Sequence, residues 1–372
     1  MVRNVLLVSG TRPEIVKLAP LYHALRGADD IGVQWLHTGQ HDEMARQILS
    51  CFDIVPDISL TRRGTSLGDF SVGCREQLEP VMRQQPWSVV IVQGDTESAF
   101  QGALAGFYNQ VPVAHVEAGL RTYNLEQPFP EEALRQMITR IARFHFAPTP
   151  RARQALLAEG VPDRSIHMTG NTVVDAQLWT REHKDICRRI AGRGHVLVTV
   201  HRRENWGEPL EQICGAVTDI ADAHRDLDVL FPVHPNPIVR EQVHTRLGTR
   251  ANIKLVAPLD YLEMQQALAD AWLVLTDSGG LQEEAPTFSV PLLVLREETE
   301  RPEAVEAGCA RLVGTNRSAI VGHVEQLFRD EDAYRHMQRQ GNPFGDGTAS
   351  QRILMILKRR LITAKRASVA AA

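Results

Sequence analysis

The chain has 372 residues, of which 43% are hydrophobic and 23% charged, and its formal net charge is −4. That length exceeds one compact core and predicts two domains, while the weak negative charge excludes a surface built to wrap nucleic acid. The longest apolar runs are strand-length, which excludes a membrane-spanning helix. The opening "MVRNVLLVSG" runs straight into a strand without the regions of a signal peptide, and the five cysteines (Cys51, Cys74, Cys187, Cys214, Cys309) never space as C-x-x-C. Free buried thiols in a reducing cytoplasm are therefore expected, with neither a zinc site nor a disulfide framework.

Along the chain, "NVLLVSG", "VQWLHTG", "SVVIVQGD", "VPVAHVEAG" and "FHFAPT" read as strands in the first half. In the second half "HVLVTVH", "DVLFPVH", "IKLVAP", "AWLVLTDSG" and "PLLVLR" read the same way. Several are continuously apolar, the pattern of strands covered by helices on both faces. Helix-length segments such as "PEIVKLAPLYHALRG" and "EPLEQICGAVTDIADAHRD" separate them. This alternation predicts βαβ units, parallel sheets and an α/β class of two tandem doubly wound, Rossmann-like domains. Strand signals pause from about Thr172 to Gly194, which places the boundary near "TGNTVVDAQLWTREH".

In open α/β sheets ligands sit beyond the carboxyl ends of the strands. Polar turns fall there repeatedly: "SGTRPE", "TGQHDE", "QGDTE", "VEAGLR", "VHRREN", "VHPNP" and "TDSGG" each follow an apolar strand. Two such sets predict a site in the cleft between the domains. In the first turn Gly10 permits a tight bend, Pro13 suits a helix start, and Arg12 and Lys17 set cations beside a helix N-terminus. In "TDSGGLQEEAP", Ser278 is a natural N-cap, and Gly279 and Gly280 allow a diphosphate to approach free backbone amides. Glu283 and Glu284 follow in the first helical turn, where a carboxylate can receive ribose hydroxyls or simply complement the helix dipole. Asp95, Glu117, and Glu131 or Glu132 are strand-end carboxylates able to shuttle protons. His115 and His234 also end strands, and for His115 a hydrogen-bonded structural role is the expectation.

No G-x-G-x-x-G follows the first strand, and no P-loop, H-E-x-x-H or G-x-S-x-G motif occurs. Dinucleotide oxidoreductases, P-loop NTPases, zincins and serine hydrolases lose ground accordingly. A metallohydrolase, suggested by "GDT" with strand-end histidines, would gather its ligands more densely, so no metal is expected.

Taken in order and spacing, "SGTRPE", "TGQHDEM", "GDT", "HVEAGLRT", "PFPEE", "FAPT", "TGNTVVD", "HRREN", "TDSGGLQEEAP" and "RPEAVEAG" resemble the non-hydrolysing UDP-N-acetylglucosamine 2-epimerases over nearly the whole chain. The resemblance implies a GT-B arrangement: an N-terminal domain over residues 1–171, a UDP-binding domain over 172–350, and a C-terminal helix, 351–366, crossing back onto the first. It also implies reversible epimerisation of UDP-GlcNAc to UDP-ManNAc at C2, without a redox cofactor, through loss of UDP to a 2-acetamidoglucal and its re-addition. Asp95, Glu117 and Glu131 are then the acid/base candidates, and His201 assists near the diphosphate with Arg12 and Lys17. Ser278, Gly279, Gly280, Glu284 and Arg301 match UDP-binding positions. Gln40, His41 and His234 match an activating second site, although Gly64 and Thr65 stand where a basic residue and a glutamine are usual, with Arg62 and Arg63 beside them. A cytoplasmic homodimer acting on a UDP-sugar, with no nucleic-acid or membrane partner, completes the expectation. A hydrolysing epimerase that releases free ManNAc and UDP, or a GT-B glycosyltransferase, are the alternatives.

Overall fold

The computed structural model describes residues 2–248 and 250–370, with the side chains of 42–44 and 362–370 outside that description. The chain divides into two compact units, residues 1–176 with 345–372, and residues 177–344. The division falls inside the helix Thr172–His183.

The first unit is built on β1 (Arg3–Ser9), β2 (Ile31–His37), β3 (Ile58–Ser59), β4 (Trp87–Gln93), β5 (Val113–Val116), β6 (Phe144–Ala147) and β7 (Ile166–Met168). They pair in parallel in the order β3-β2-β1-β4-β5-β6-β7. Val5, Leu6, Leu7 and Val8 are fully buried, because β1 lies at the centre with helices over both faces. The C-terminal helix Ala349–Ala370 belongs to this unit and packs on the helix Arg12–Arg26. Asp175 fastens its start by accepting the Ala349 and Ser350 amides at 3.2 and 2.7 Å.

The second unit holds β8 (His195–Thr199), β9 (Val229–Pro232), β10 (Ile253–Val256), β11 (Ala271–Thr276), β12 (Leu292–Val294) and β13 (Ala310–Leu312). Its parallel order is β10-β9-β8-β11-β12-β13. In each sheet the strand order reverses at one place, between β1 and β4 and between β8 and β11. At such a switch the following helices leave on opposite faces and open a crevice at the carboxyl ends.

The ten strands read from the sequence are all present. Three further short strands, β3, β7 and β13, sit at sheet edges, where a strand needs only one partner and carries little apolar signal.

Candidate functional site

In the first unit the turn after β1 meets the turns after β2 and β4. Gly10 has no left-handed backbone; its need is steric. A Cβ there would lie 1.9 Å from Ser98 Oγ and 2.2 Å from Thr38 Oγ1. The hydroxyls of Thr38 and Ser98 bond at 2.7 Å, and Gln40 Oε1 accepts from the Ser98 amide and hydroxyl at 3.2 and 2.6 Å. The expected tight bend is thus a close packing of three strand ends. Glu14, absent from the expected site, is buried at the centre. Its Oε2 accepts the amides of Gly10 and Thr11 at 3.0 and 2.7 Å, and its Oε1 accepts the Thr96 hydroxyl at 2.7 Å. Burial pushes its carboxyl up to about 7 against these hydrogen bonds.

The carboxylates have three different surroundings. Asp95 pairs with Arg135 at 2.6 Å. Glu117 follows β5 with φ 63°, a conformation costly outside glycine, and receives Lys17 Nζ at 2.6 Å and Gln93 Nε2 at 2.5 Å on one oxygen. Glu131 opens the helix Glu131–Ile141 half-buried and has no hydrogen bond or ion pair among the described residues. Its neighbour Glu132 is fully buried and saturated. It accepts the amides of Thr122 and Tyr123 and the Gln136 side chain at 2.9, 3.1 and 2.7 Å, with Arg135 at 3.4 Å. Burial alone would raise its pKa; those donors overcome it and hold it below the ordinary value. The two glutamates thus differ in surroundings: Glu132 is held by four donor residues, whereas Glu131 is half-buried at the helix start.

His115 is structural. Burial holds its imidazole down at about 3, and its Nε2 bonds the Gly94 carbonyl at 2.7 Å, steadying the residue before Asp95. Arg12 begins the helix Arg12–Arg26, half-buried. His41 caps the next helix and gives its amide to Gly10 at 3.0 Å. Arg62 reaches the Gln40 carbonyl at 2.6 Å, whereas Arg63 pairs with Glu76 at 2.7 Å.

In the second unit His201 ends the stretch after β8, and its Nδ1 lies 2.8 Å from Asp277 Oδ1. Asp277 is fully buried and also accepts the His201 and Arg202 amides and the Asn205 side chain, at 3.1, 2.9 and 3.0 Å. Those donors, His201 foremost, hold the carboxyl below its ordinary value despite the burial that opposes them. The ionised Asp277 can only accept, so Nδ1 of His201 carries the proton and Nε2 faces outward. Ser278 caps the short helix Gly279–Glu284, its Oγ accepting the Leu281 amide at 3.4 Å. A Cβ on Gly279 or Gly280 would meet nothing nearer than 3.8 and 3.7 Å, so both glycines leave open space.

Glu283 and Glu284 are otherwise engaged. Glu283 is buried against Arg301 Nε, and Glu284 accepts Gln265 Nε2 at 2.6 Å. Arg202 and Arg296 form a cationic rim around Glu300, at 3.4 and 3.6 Å. His234 accepts the Asn236 amide on Nδ1 at 3.1 Å and lies against Trp206.

The residues that sequence reasoning passed over are Glu14, Gln93, Arg135, Arg202 and Asp277. Glu14 had a usable signal, since Thr11 and Glu14 stand in capping-box spacing. Arg135 follows Glu131 by one helical turn. Among the described residues no cluster of His, Cys, Asp and Glu could hold a metal ion.

Residues 23–358 match a family profile described as UDP-N-acetylglucosamine 2-epimerase. A UDP-N-acetylglucosamine 2-epimerase of Escherichia coli K12 is 46% identical over 374 residues, covering 97% of this chain and 100% of that one. The crystal structure of UDP-GlcNAc 2-epimerase from Neisseria meningitidis bound to UDP-GlcNAc superposes with a TM-score of 0.86 at 37% identity, covering 96% and 100% of the two chains. That of Methanocaldococcus jannaschii UDP-GlcNAc 2-epimerase in complex with UDP-GlcNAc and UDP gives 0.76 at 32% identity, covering 96% and 100%.

Proposed function

The chain belongs to the UDP-N-acetylglucosamine 2-epimerase family, and from that premise we propose that it interconverts UDP-GlcNAc and UDP-ManNAc without releasing the sugar. The observation that carries this reading is the trio Asp95, Glu117 and Glu131, held in three different ways around one set of strand ends.

One carboxylate removes the C2 proton. The C2–H electron pair forms the C1–C2 double bond, and the C1–O bond breaks with its pair leaving on UDP. A proton then returns to C2 on the opposite face, and the UDP oxygen re-adds at C1. Arg135 beside Asp95 and Lys17 beside Glu117 hold those two carboxylates in place, whereas Glu131 stands at its helix start.

The departing diphosphate needs positive charge and donors. Arg12, Lys17 and the outward Nε2 of His201 supply them in this reading, with Asp277 fixing the tautomer. The uridine half belongs to Ser278, Gly279, Gly280, Glu284 and Arg301. Of these, Glu284 and Arg301 act as frame, since Arg301 is committed to Glu283. No redox cofactor is needed, because the carbon that loses a proton regains one.

The same reading makes the protein a homodimer of the cytoplasm. The buried thiols Cys74, Cys214 and Cys309 suit a reducing compartment, although Cys187 is exposed and Cys51 only partly buried, against the expectation that all five are buried. Val72, Phe107, Tyr108 and Met137 form an exposed apolar face on three adjacent helices of the first unit, and a second copy would cover it.

Incubation with UDP-GlcNAc alone, followed by NMR, tests the reaction. UDP-ManNAc should accumulate to equilibrium with no acceptor present. Accumulating free ManNAc and UDP would favour the hydrolysing alternative, and an obligatory acceptor would favour a glycosyltransferase.

A further inference from the structure

Asp95 sits between two anchored residues. On one side the Gly94 carbonyl is held by His115 at 2.7 Å, and the Gly94 amide donates to the Val116 carbonyl at 3.0 Å. On the other side Thr96 caps the helix Glu97–Tyr108 by accepting the Ala99 amide at 3.1 Å. The cap uses only a lone pair of the Thr96 hydroxyl. Its proton goes to Glu14 Oε1 at 2.7 Å. The other oxygen of Glu14 holds the amides of Gly10 and Thr11, the residues that lead into Arg12.

A helix cap alone would not call for this arrangement. A threonine N-cap can give its proton to water, and burying a carboxylate to receive it is costly unless every lone pair is used. Glu14 is 1% exposed and three donors converge on it from two separate turns. Such convergence fixes the distance between the turn carrying Arg12 and the turn carrying Asp95.

We propose that Glu14 is a positioning residue: through Thr96 it sets the orientation of Asp95 relative to the anion-binding turn at Gly10–Arg12. This rests on the reading of Asp95 as one of the acid/base groups at C2. Glu14 itself lies behind the turn and touches no reacting atom. Its effect is to hold Asp95 at the angle from which a proton can be passed. A displacement of about 1 Å in such a group can cost on the order of a hundredfold in rate.

Steady-state kinetics of purified full-length protein test this with Glu14→Gln, Thr96→Val and Thr96→Ser. Thr96→Val cuts the arm between Glu14 and the Asp95 turn and also removes the cap of the helix Glu97–Tyr108, so it is the coupling in the double variant that isolates the arm. It should lower kcat by about tenfold or more, with KM and the UDP dissociation constant within about threefold of wild type. Thr96→Ser restores the hydroxyl and should recover most of the rate. Glu14→Gln should show the same loss in kcat, and the double variant Glu14→Gln/Thr96→Val should be scarcely slower than either single one. Wild-type kcat in Thr96→Val, or losses that multiply in the double variant, would overturn the proposal even if Glu14→Gln does not fold. Failure of the underlying reading looks different, since Asp95→Asn would then retain wild-type kcat.

Discussion

Glu131 and Glu132 are adjacent carboxylates at one helix start, yet their surroundings are opposite, and the proposed function gives them opposite tasks. Glu131→Gln should lower kcat by at least about a hundredfold, the scale for losing a positioned acid or base, with little change in melting temperature. Glu132→Gln leaves the Thr122 and Tyr123 amides competing for a single oxygen and sets an amide against Arg135. It should cost about 1–3 kcal/mol of stability while the folded fraction retains turnover. Thermal melts alongside kinetics separate the two. A crippled but stable Glu132→Gln beside a fully active Glu131→Gln would move the chemistry to Glu132. The same logic sets Glu283, paired with Arg301, apart from Glu131.

Among the elements, β5 and β6 place His115 and His145 side by side in register, both buried. Burial pushes the two imidazoles down, to about 3 and about 4, with Arg121 adding to the shift in each. A base depressed in the folded state contributes stability that is present above its unfolded pKa and lost as pH falls below it. Each histidine should therefore withdraw about 2 kcal/mol between pH 7.5 and pH 5. Glu14 runs the other way. Its raised carboxyl takes a proton in the folded state before the unfolded chain does, and so adds stability as pH falls through 7. The isolating measurement is urea unfolding of wild type against His145→Asn. Their stability difference should shrink by about 2 kcal/mol from pH 7.5 to pH 5, and a difference independent of pH would contradict the neutral buried imidazole.

The long central strands were legible in the sequence because they are apolar on both faces. Three of the edge strands were not: "DISL", "SIHMTG" and "CARLVG" alternate or stop within two or three residues. The polar turns marked the strand ends that carry the proposed site, since few loops combine glycine, arginine and carboxylate after an apolar strand. The supporting residues stayed hidden for a physical reason. Arg135, Gln93 and Asp277 act through partners tens of residues away, such as Asp95, Glu117 and His201. Such pairings depend on strand order, which periodicity does not encode. Glu14 was passed over because one of its partners, Thr96, lies 82 positions on.

At the scale of the molecule, two Rossmann-like units carry complementary equipment. Asp95, Glu117 and Glu131, the proposed acid/base groups, lie on the one built around β1 and β4, and His201 with its buried Asp277 on the one built around β8 and β11. The apolar face on the first unit bears on assembly. Tyr108, 62% exposed with Arg75 stacked 4.5 Å from its ring centroid, is its largest side chain. In the proposed dimer this face is covered, so Tyr108→Glu should shift the protein toward monomers in sedimentation velocity; a sedimentation profile unchanged by the substitution would place the interface elsewhere.

The central claim, that a proton leaves C2 and another returns, is tested most directly by turnover in heavy water. UDP-GlcNAc converted in D2O should yield UDP-ManNAc with deuterium at C2, and substrate recovered at equilibrium should carry it too, as read by the loss of the C2 proton signal in NMR. UDP-ManNAc that retains the original C2 proton would contradict the account.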